Sequence, residues 1–235
     1  GAVEGGGLPE GAVAVTFDDG YRDNLTAAVP VLRRFGIPAT FFLSGDGASF
    51  RGSFWWEVLD ASMDALGLSE EAARELHRRF MRAPEEERGR LFAELPATEG
   101  PFPPRLSRDE IREIAADRLF EVAAHGWSHR ALGEMTPEEQ RRDIEENVRD
   151  LEATTGSSPV SFAYPFGGPY TAGTIGILRG AGIRAACTVA GHAVTAATDP
   201  MEIPRLQVGD WTGEELEERI ERLLGRVPLP HTIER

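Results

Sequence analysis

Six short apolar runs recur along this chain, at 12–17, 38–43, 120–124, 160–163, 185–189 and 203–208. They are rich in β-branched and aromatic residues and bounded by Gly, Pro or Asp, the pattern of strands. The segments between them carry apolar residues at helical spacing. Strand, helix, strand repeated in this way builds a parallel sheet, closed or open.

The helical segments have readable ends. The segment 24–35 places Leu25, Val29 and Leu32 on one face before Gly36, and Pro30 is expected to kink or restart it. Ser107 with Glu110, Thr136 with Glu139 and Thr212 with Glu215 each fit a capping box, in which hydroxyl and carboxylate satisfy the orphan amides of a helix start. Gly156 and Gly225 are the expected stops of the second and third of these helices. Residues 51–105 interrupt the rhythm with helix-like patterns at 54–66, 69–81 and 84–95, followed by Pro101, Pro103 and Pro104. The strand pattern then resumes, so this stretch is expected to be a helical insertion between the second and third strands. It lies within one domain spanning 12–235, after a glycine-rich segment 1–11, and 235 residues suit one large barrel or open-sheet domain.

Composition narrows the chemistry. The chain has 39 acidic and 25 basic residues, and every basic one is arginine. Without lysine there is no Schiff-base amine, P-loop lysine or kinase strand lysine. A net charge of -14 argues against nucleic acid and against an anionic membrane surface, because both need clustered positive charge. Cys187 is the only cysteine, which excludes an intrachain disulfide and a thiolate zinc cluster. No apolar run reaches the roughly 20 residues of a membrane span, and no basic-then-apolar signal layout opens the chain. Compartment and oligomeric state stay open.

Three strand ends carry dense polar or turn-forming residues. Thr16-Phe17-Asp18-Asp19-Gly20 holds adjacent carboxylates, which repel unless a cation or a proton lies between them; the pentapeptide alone equally fits a solvated Asp-Gly turn. His125-Gly126-Trp127-Ser128-His129 spaces two imidazoles so that they can face one ion, or holds two unrelated surface histidines. One aspartate with these two histidines makes the N/O ligand set of a catalytic zinc, and the other aspartate is free to take a proton from water. Ser161 to Gly168 ends in a Pro and Gly run whose amides could face a developing oxyanion, or simply form a turn lined by aromatic packing.

In this order, and each behind a strand, the three segments resemble the first three motifs of the polysaccharide deacetylase family, the NodB-homology group or carbohydrate esterase family 4. The resemblance covers about residues 12–206 without the insertion. It implies an α/β fold, a distorted (β/α) barrel, and hydrolysis of an N-acetyl group on an amino sugar. It also implies a divalent metal, usually zinc, held by Asp19, His125 and His129, with Asp18 as the general base. Phe166 would lend its backbone N–H to the oxyanion, and Tyr164, Pro165 and Trp127 are the expected substrate contacts.

Two departures from the family pattern stand out. The third motif usually opens with an arginine that orients the base, and Ala163 stands there instead. In a chain without lysine only another arginine could replace it. Arg205, on the 203–208 run, could reach the site, or form a surface ion pair. The late Leu-x-His motif that carries the general acid is missing; His192 is the better remaining candidate, and His231 lies in a short polar tail.

Other residues are expected in ordinary places: Asp210-Trp211 before a capped helix, Trp55-Trp56 in packing or as a sugar-stacking surface, His77 in solvent, and Cys187 buried. The expected activity is metal-dependent deacetylation of an acetylated amino sugar in a polymer, oligomer or glycoconjugate. The alternatives are hydrolysis of another C–N bond in a small amide or ureide, and an inactive carbohydrate-binding relative.

Overall fold

The computed structural model describes residues 11–98 and 100–225. The glycine-rich segment, apart from Gly11, and His231 lie outside the described residues. Five parallel strands form the main sheet in the order β1 (Val15–Phe17), β2 (Ala39–Leu43), β5 (Phe120–Ala124), β6 (Ser161–Ala163) and β7 (Ala185–Cys187). The sheet curls as a half-barrel. Its register pairs Phe41 with Val122, Ala124 with Phe162 and Ala163 with Cys187.

Side chains alternate across a strand, and here the two faces differ in size. Phe41, Leu43, Phe162 and Tyr164 enter the larger core with Ile114, Ile144, Leu151 and Leu178. These last four come from the helices α5 (Arg108–Ala116), α6 (Pro137–Thr155) and α7 (Ala172–Gly180). The opposite face carries Phe42, Ala123, Ala163 and Cys187, small residues apart from Phe42, with Ile203 packed on them. The small residues leave room on the concave side.

Capping boxes at Ser107, Thr136 and Thr212 open α5, α6 and α8 (Gly213–Leu223). A short π turn at Asn24–Ala28 precedes α1 (Val29–Phe35), so Pro30 sits in the first turn of a restarted helix, where its missing N–H costs nothing. Gly156 ends α6 in the left-handed region, and Gly225 lies just past α8 with φ 70°.

The insertion holds α2 (Trp55–Leu66), α3 (Glu70–Arg82) and α4 (Glu85–Glu94), close to the expected spans. An unexpected two-stranded ribbon, β3 (Ser49–Phe50) with β4 (Ser53–Phe54), stands at its entrance. The three helices share a small core of their own around Phe54, Trp55, Leu59, Phe80 and Phe92. Among the described residues no helix is long and apolar enough to cross a membrane. The run 203–208 is not a strand: a single bridge joins Ile203 to Cys187, and Pro204, next in line, has no N–H for the ladder.

Candidate active site

The site lies beyond the ends of β1, β5 and β6, the edge where parallel α/β proteins gather ligands. At the end of β1 the chain turns sharply at Asp19, which has φ 72°, and at Gly20, with φ 100°. The Ser44 N–H donates to Asp19 O at 3.1 Å and holds the turn against the end of β2. Two more non-glycine residues with positive φ, His129 at 49° and Phe166 at 60°, lie in the same site. Backbone held in this region costs free energy and marks places that the surrounding structure over-determines.

His125 is 2 % exposed and fixed on both sides. Its N–H is within hydrogen-bonding range of Leu43 O at 3.2 Å and Asn147 Oδ1 at 2.9 Å, while Asn147 Nδ2 donates to Leu43 O at 3.2 Å. Its Nδ1 lies 2.8 Å from Ala163 O, so donation there turns Nε2 toward the carboxylates. His125 Nε2 is 3.4 Å from Asp19 Oδ1, and His129 Nε2 is 3.2 Å from the same oxygen. The loop between the histidines is pinned by the buried Asp143 of α6, which accepts from Trp127 N at 2.8 Å, Ser128 N at 3.0 Å and the Ser128 hydroxyl.

Asp19, His125 and His129 each present one ligand atom within 4.8 Å of the others. Asp19 Oδ1 is buried without a hydrogen-bond partner. An unsatisfied carboxylate oxygen facing two imidazole nitrogens suits a cation, and the donor set suits zinc or a similar divalent ion. The residues present therefore fit a metal. Burial opposes charge on both carboxylates, yet both are held below the usual carboxylate range, Asp18 by the charge of His125 and by Arg205, and Asp19 by the two imidazoles. Burial also disfavours charged histidine: the Asp18 and Asp19 charges outweigh it at His125, whose pKa rises, whereas burial prevails at His129, whose pKa falls.

Arg205 is no surface pair. Its side chain is 13 % exposed, and it donates to Asp18 Oδ1 at 2.6 Å and Oδ2 at 2.7 Å. The same guanidinium reaches Thr16 Oγ1 at 3.0 Å and Thr188 O at 3.2 Å, and it lies 5.3 Å from the centroid of the Phe42 ring. Ile203 and Arg205 are two residues apart, so the extended chain that packs Ile203 on the concave face delivers Arg205 there too.

The Phe166 N–H has no acceptor among the described residues, and the Phe166 ring lies 4.6 Å from that of His129. On the other flank Trp56, from the insertion, is 4.5 Å from His129, with its Nε1 donating to Tyr21 Oη at 2.7 Å and the Tyr21 hydroxyl donating to Glu57. The structure thus gathers Asp18, Asp19, His125, His129, Phe166 and Arg205.

Four expected side chains are not among those gathered. Tyr164 is 1 % exposed, stacks on Tyr170 and donates its hydroxyl to Met201 O at 3.0 Å, because it shares the helix-facing side of its strand with Phe162. Pro165 is buried as well. Neither side chain is placed to touch a substrate. Trp127 is half-buried and packs its indole on Gly45 and Gly47. His192 is exposed, and its Nδ1 lies 3.3 Å from Ala193 O; among the described residues no hydrogen bond or ion pair joins it to the site.

Sequence reasoning passed over Asp143 and Asn147. The available signal was their place in α6, where Gln140, Asp143, Asn147 and Thr154 are buried at helical spacing beside an apolar stripe. Polar residues on a buried helix face need partners; Asp143 finds them in the Trp127 and Ser128 amides and Asn147 in the His125 amide.

Fold and site together define an α/β protein with a candidate metal centre at the C-terminal edge of a curled parallel sheet. The family profile described as polysaccharide deacetylase matches residues 5–186, and the chain belongs to that family. A stretch of 36 residues is 53 % identical to the Bacillus subtilis (strain 168) protein named "Putative polysaccharide deacetylase YxkH", covering 15 % of this chain and 13 % of that one. Among solved structures, Streptococcus pyogenes deacetylase PplD in complex with acetate superposes with a TM-score of 0.60 at 17 % identity, covering 94 % of this chain and 75 % of that one. IcaB from Ammonifex degensii gives 0.57 at 20 % identity, covering 93 % and 74 %. At these identities the structural likeness concerns the fold.

Proposed function

We propose that this protein hydrolyses the N-acetyl group of an amino sugar in a polysaccharide, oligosaccharide or glycoconjugate, releasing acetate and a free amine. The observation that carries the reading is the two-armed Arg205–Asp18 pair beside the Asp19, His125 and His129 cluster. Asp19, His125 and His129 would hold a divalent ion, most simply zinc, which when bound supplies a water of lowered pKa and a Lewis acid for the acetyl carbonyl.

The rest of the chemistry falls to the chain's own groups. Asp18 is ionised, is 30 % exposed at the mouth of the site and is fixed by Arg205, so it can take a proton from the attacking water. As the carbonyl becomes tetrahedral, its oxygen gains charge, and the free Phe166 N–H offers a hydrogen bond there. Collapse breaks the C–N bond only as the nitrogen gains a proton. The proton held on Asp18 passes to the leaving amine in that step, an economy that suits a site without a histidine acid among its gathered residues.

The test is acetate release from chito-oligosaccharides, set against small amides, with and without chelator. Asp18→Asn is expected to lose roughly 10²- to 10⁴-fold in kcat. Turnover that survives both the chelator and this substitution would overturn the mechanism.

A further inference from the structure

The insertion contributes a buried cation to the surroundings of the site. Arg88, on α4, is 3 % exposed. Its Nη1 donates to Ser128 O at 3.1 Å and its Nη2 to Gly47 O at 3.2 Å, while the guanidinium lies 5.1 Å from the Trp55 ring centroid. Among the described residues no carboxylate forms an ion pair with it. A buried charge resting only on carbonyl oxygens costs stability. What it supplies is geometry, because Gly47 and Ser128 belong to two loops packed together through Trp127.

Ser128 immediately precedes His129, and the residue after His129 is tied to the insertion too. Arg130 donates from Nε and Nη2 to Arg82 O, at 3.0 and 2.6 Å, and Arg82 is the last residue of α3. Both neighbours of His129 are therefore held by the α3–α4 corner, on either side of a residue with φ 49°. The imidazole itself lacks the usual anchor: His125 has Ala163 O at its Nδ1, whereas His129 Nδ1 is buried without a partner. A ligating histidine is ordinarily oriented through that second nitrogen. At His129 the backbone has to do it.

We propose that the helical insertion positions His129 as a metal ligand, with Arg88 as the positioning residue whose two arms hold the Ser128 and Gly47 carbonyls. The inference rests on the reading of Asp19, His125 and His129 as a metal site. Arginine suits the task because its planar fork spans two acceptors, which a single ammonium cannot do in the same way.

The test measures zinc affinity by competition with a chromophoric chelator, and the absorption spectrum of the cobalt-substituted protein. Wild type, Arg88→Gln, Arg88→Lys and His129→Ala are compared. Both Arg88 variants are expected to bind zinc about 10- to 100-fold more weakly, with cobalt spectra displaced toward that of His129→Ala. A folded Arg88 variant with wild-type zinc affinity and cobalt spectrum would overturn the proposal. Should Arg88→Gln not fold, Arg88→Lys, which keeps charge and stem but not the fork, decides by the same criterion. Failure of the wild type to take up either ion would overturn the metal-site reading itself, an outcome distinct from equal binding by wild type and variant.

Discussion

Arg205 grips both carboxylate oxygens of Asp18, at 2.6 and 2.7 Å, across 187 positions of sequence. A fork-to-fork pair of this kind fixes direction as well as charge. Two further contacts of the guanidinium, to Thr16 Oγ1 and Thr188 O, leave Asp18 little freedom to rotate. The pair occupies the concave face where Ala163 presents only a methyl group. An arginine from the chain beyond β7 thus lies where one from β6 would have had to reach.

Arg205→Gln is expected to lower kcat by about 10²-fold, the order of loss that follows from misplacing a reacting group by about 1 Å. KM should change little, because Arg205 faces the base. Arg205→Lys should recover only part, since one ammonium cannot bind both oxygens. Adding Ala163→Arg to Arg205→Gln returns an arginine to the neighbouring strand and should restore activity above that of the single variant. Steady-state acetate release measures all three, and full activity in Arg205→Gln would remove the role.

Much of this arrangement could be read from residue order, and the exceptions have physical causes. The strand ends bearing Asp18, Asp19, His125 and His129 follow runs whose apolar character is local. The capping boxes are equally local, four residues wide. Arg205 was traceable only by elimination, in a chain without lysine, because its partner is set by the curl of the sheet. Tyr164 was misjudged by its nearness to the motif, although strict alternation with Phe162 directs it into the core. Ribbon strands of two residues, β3 and β4, carry no periodicity to detect. Asp143 and Asn147 looked like ordinary polar positions of an acidic helix until burial separated them from its solvent face.

Metal removal should be visible in stability as well as turnover. A ligand that binds only the folded state adds about 2.7 kcal/mol at a free concentration one hundred times its Kd. For a domain of this size each kcal/mol moves Tm by about 2–4 °C. Zinc at that excess should therefore raise Tm by about 5–11 °C over chelator-treated protein in a calorimetric scan. Asp19→Ala and His125→Ala should abolish most of the shift, and a full shift in either variant would mean that zinc binds elsewhere.

Acid should loosen the helix that supports the histidine loop. Glu139 accepts from the Thr136 N–H at 2.8 Å, and this bond holds its pKa below the usual 4.5. A carboxylate with a depressed folded-state pKa binds fewer protons folded than unfolded. Its contribution is present above about pH 4.5 and is lost as pH falls through the lower folded value. Because the Glu139 side chain is still 35 % exposed, solvent screening should keep the effect under about 1 kcal/mol. Urea unfolding at pH 5.5 and pH 3.5 should show a smaller pH-dependent loss in Glu139→Gln than in wild type, and an equal loss would rule the cap out as a contributor.

Gly45 and Trp127 test whether the histidine loop depends on close packing. Gly45 has φ -75° and ψ -177°, so alanine fits its backbone, and any cost must be steric. A Cβ there would lie 2.2 Å from Trp127 Cε3 and 3.0 Å from the Trp127 Cα, so the ring cannot simply swing aside. Gly45→Ala should destabilise by about 1–3 kcal/mol, the usual cost of overpacking, lowering the urea midpoint at constant slope. Trp127→Leu removes the ring that collides, so the double variant should be more stable than the two single costs added together imply. Simple additivity would show that Gly45 and Trp127 do not press on one another.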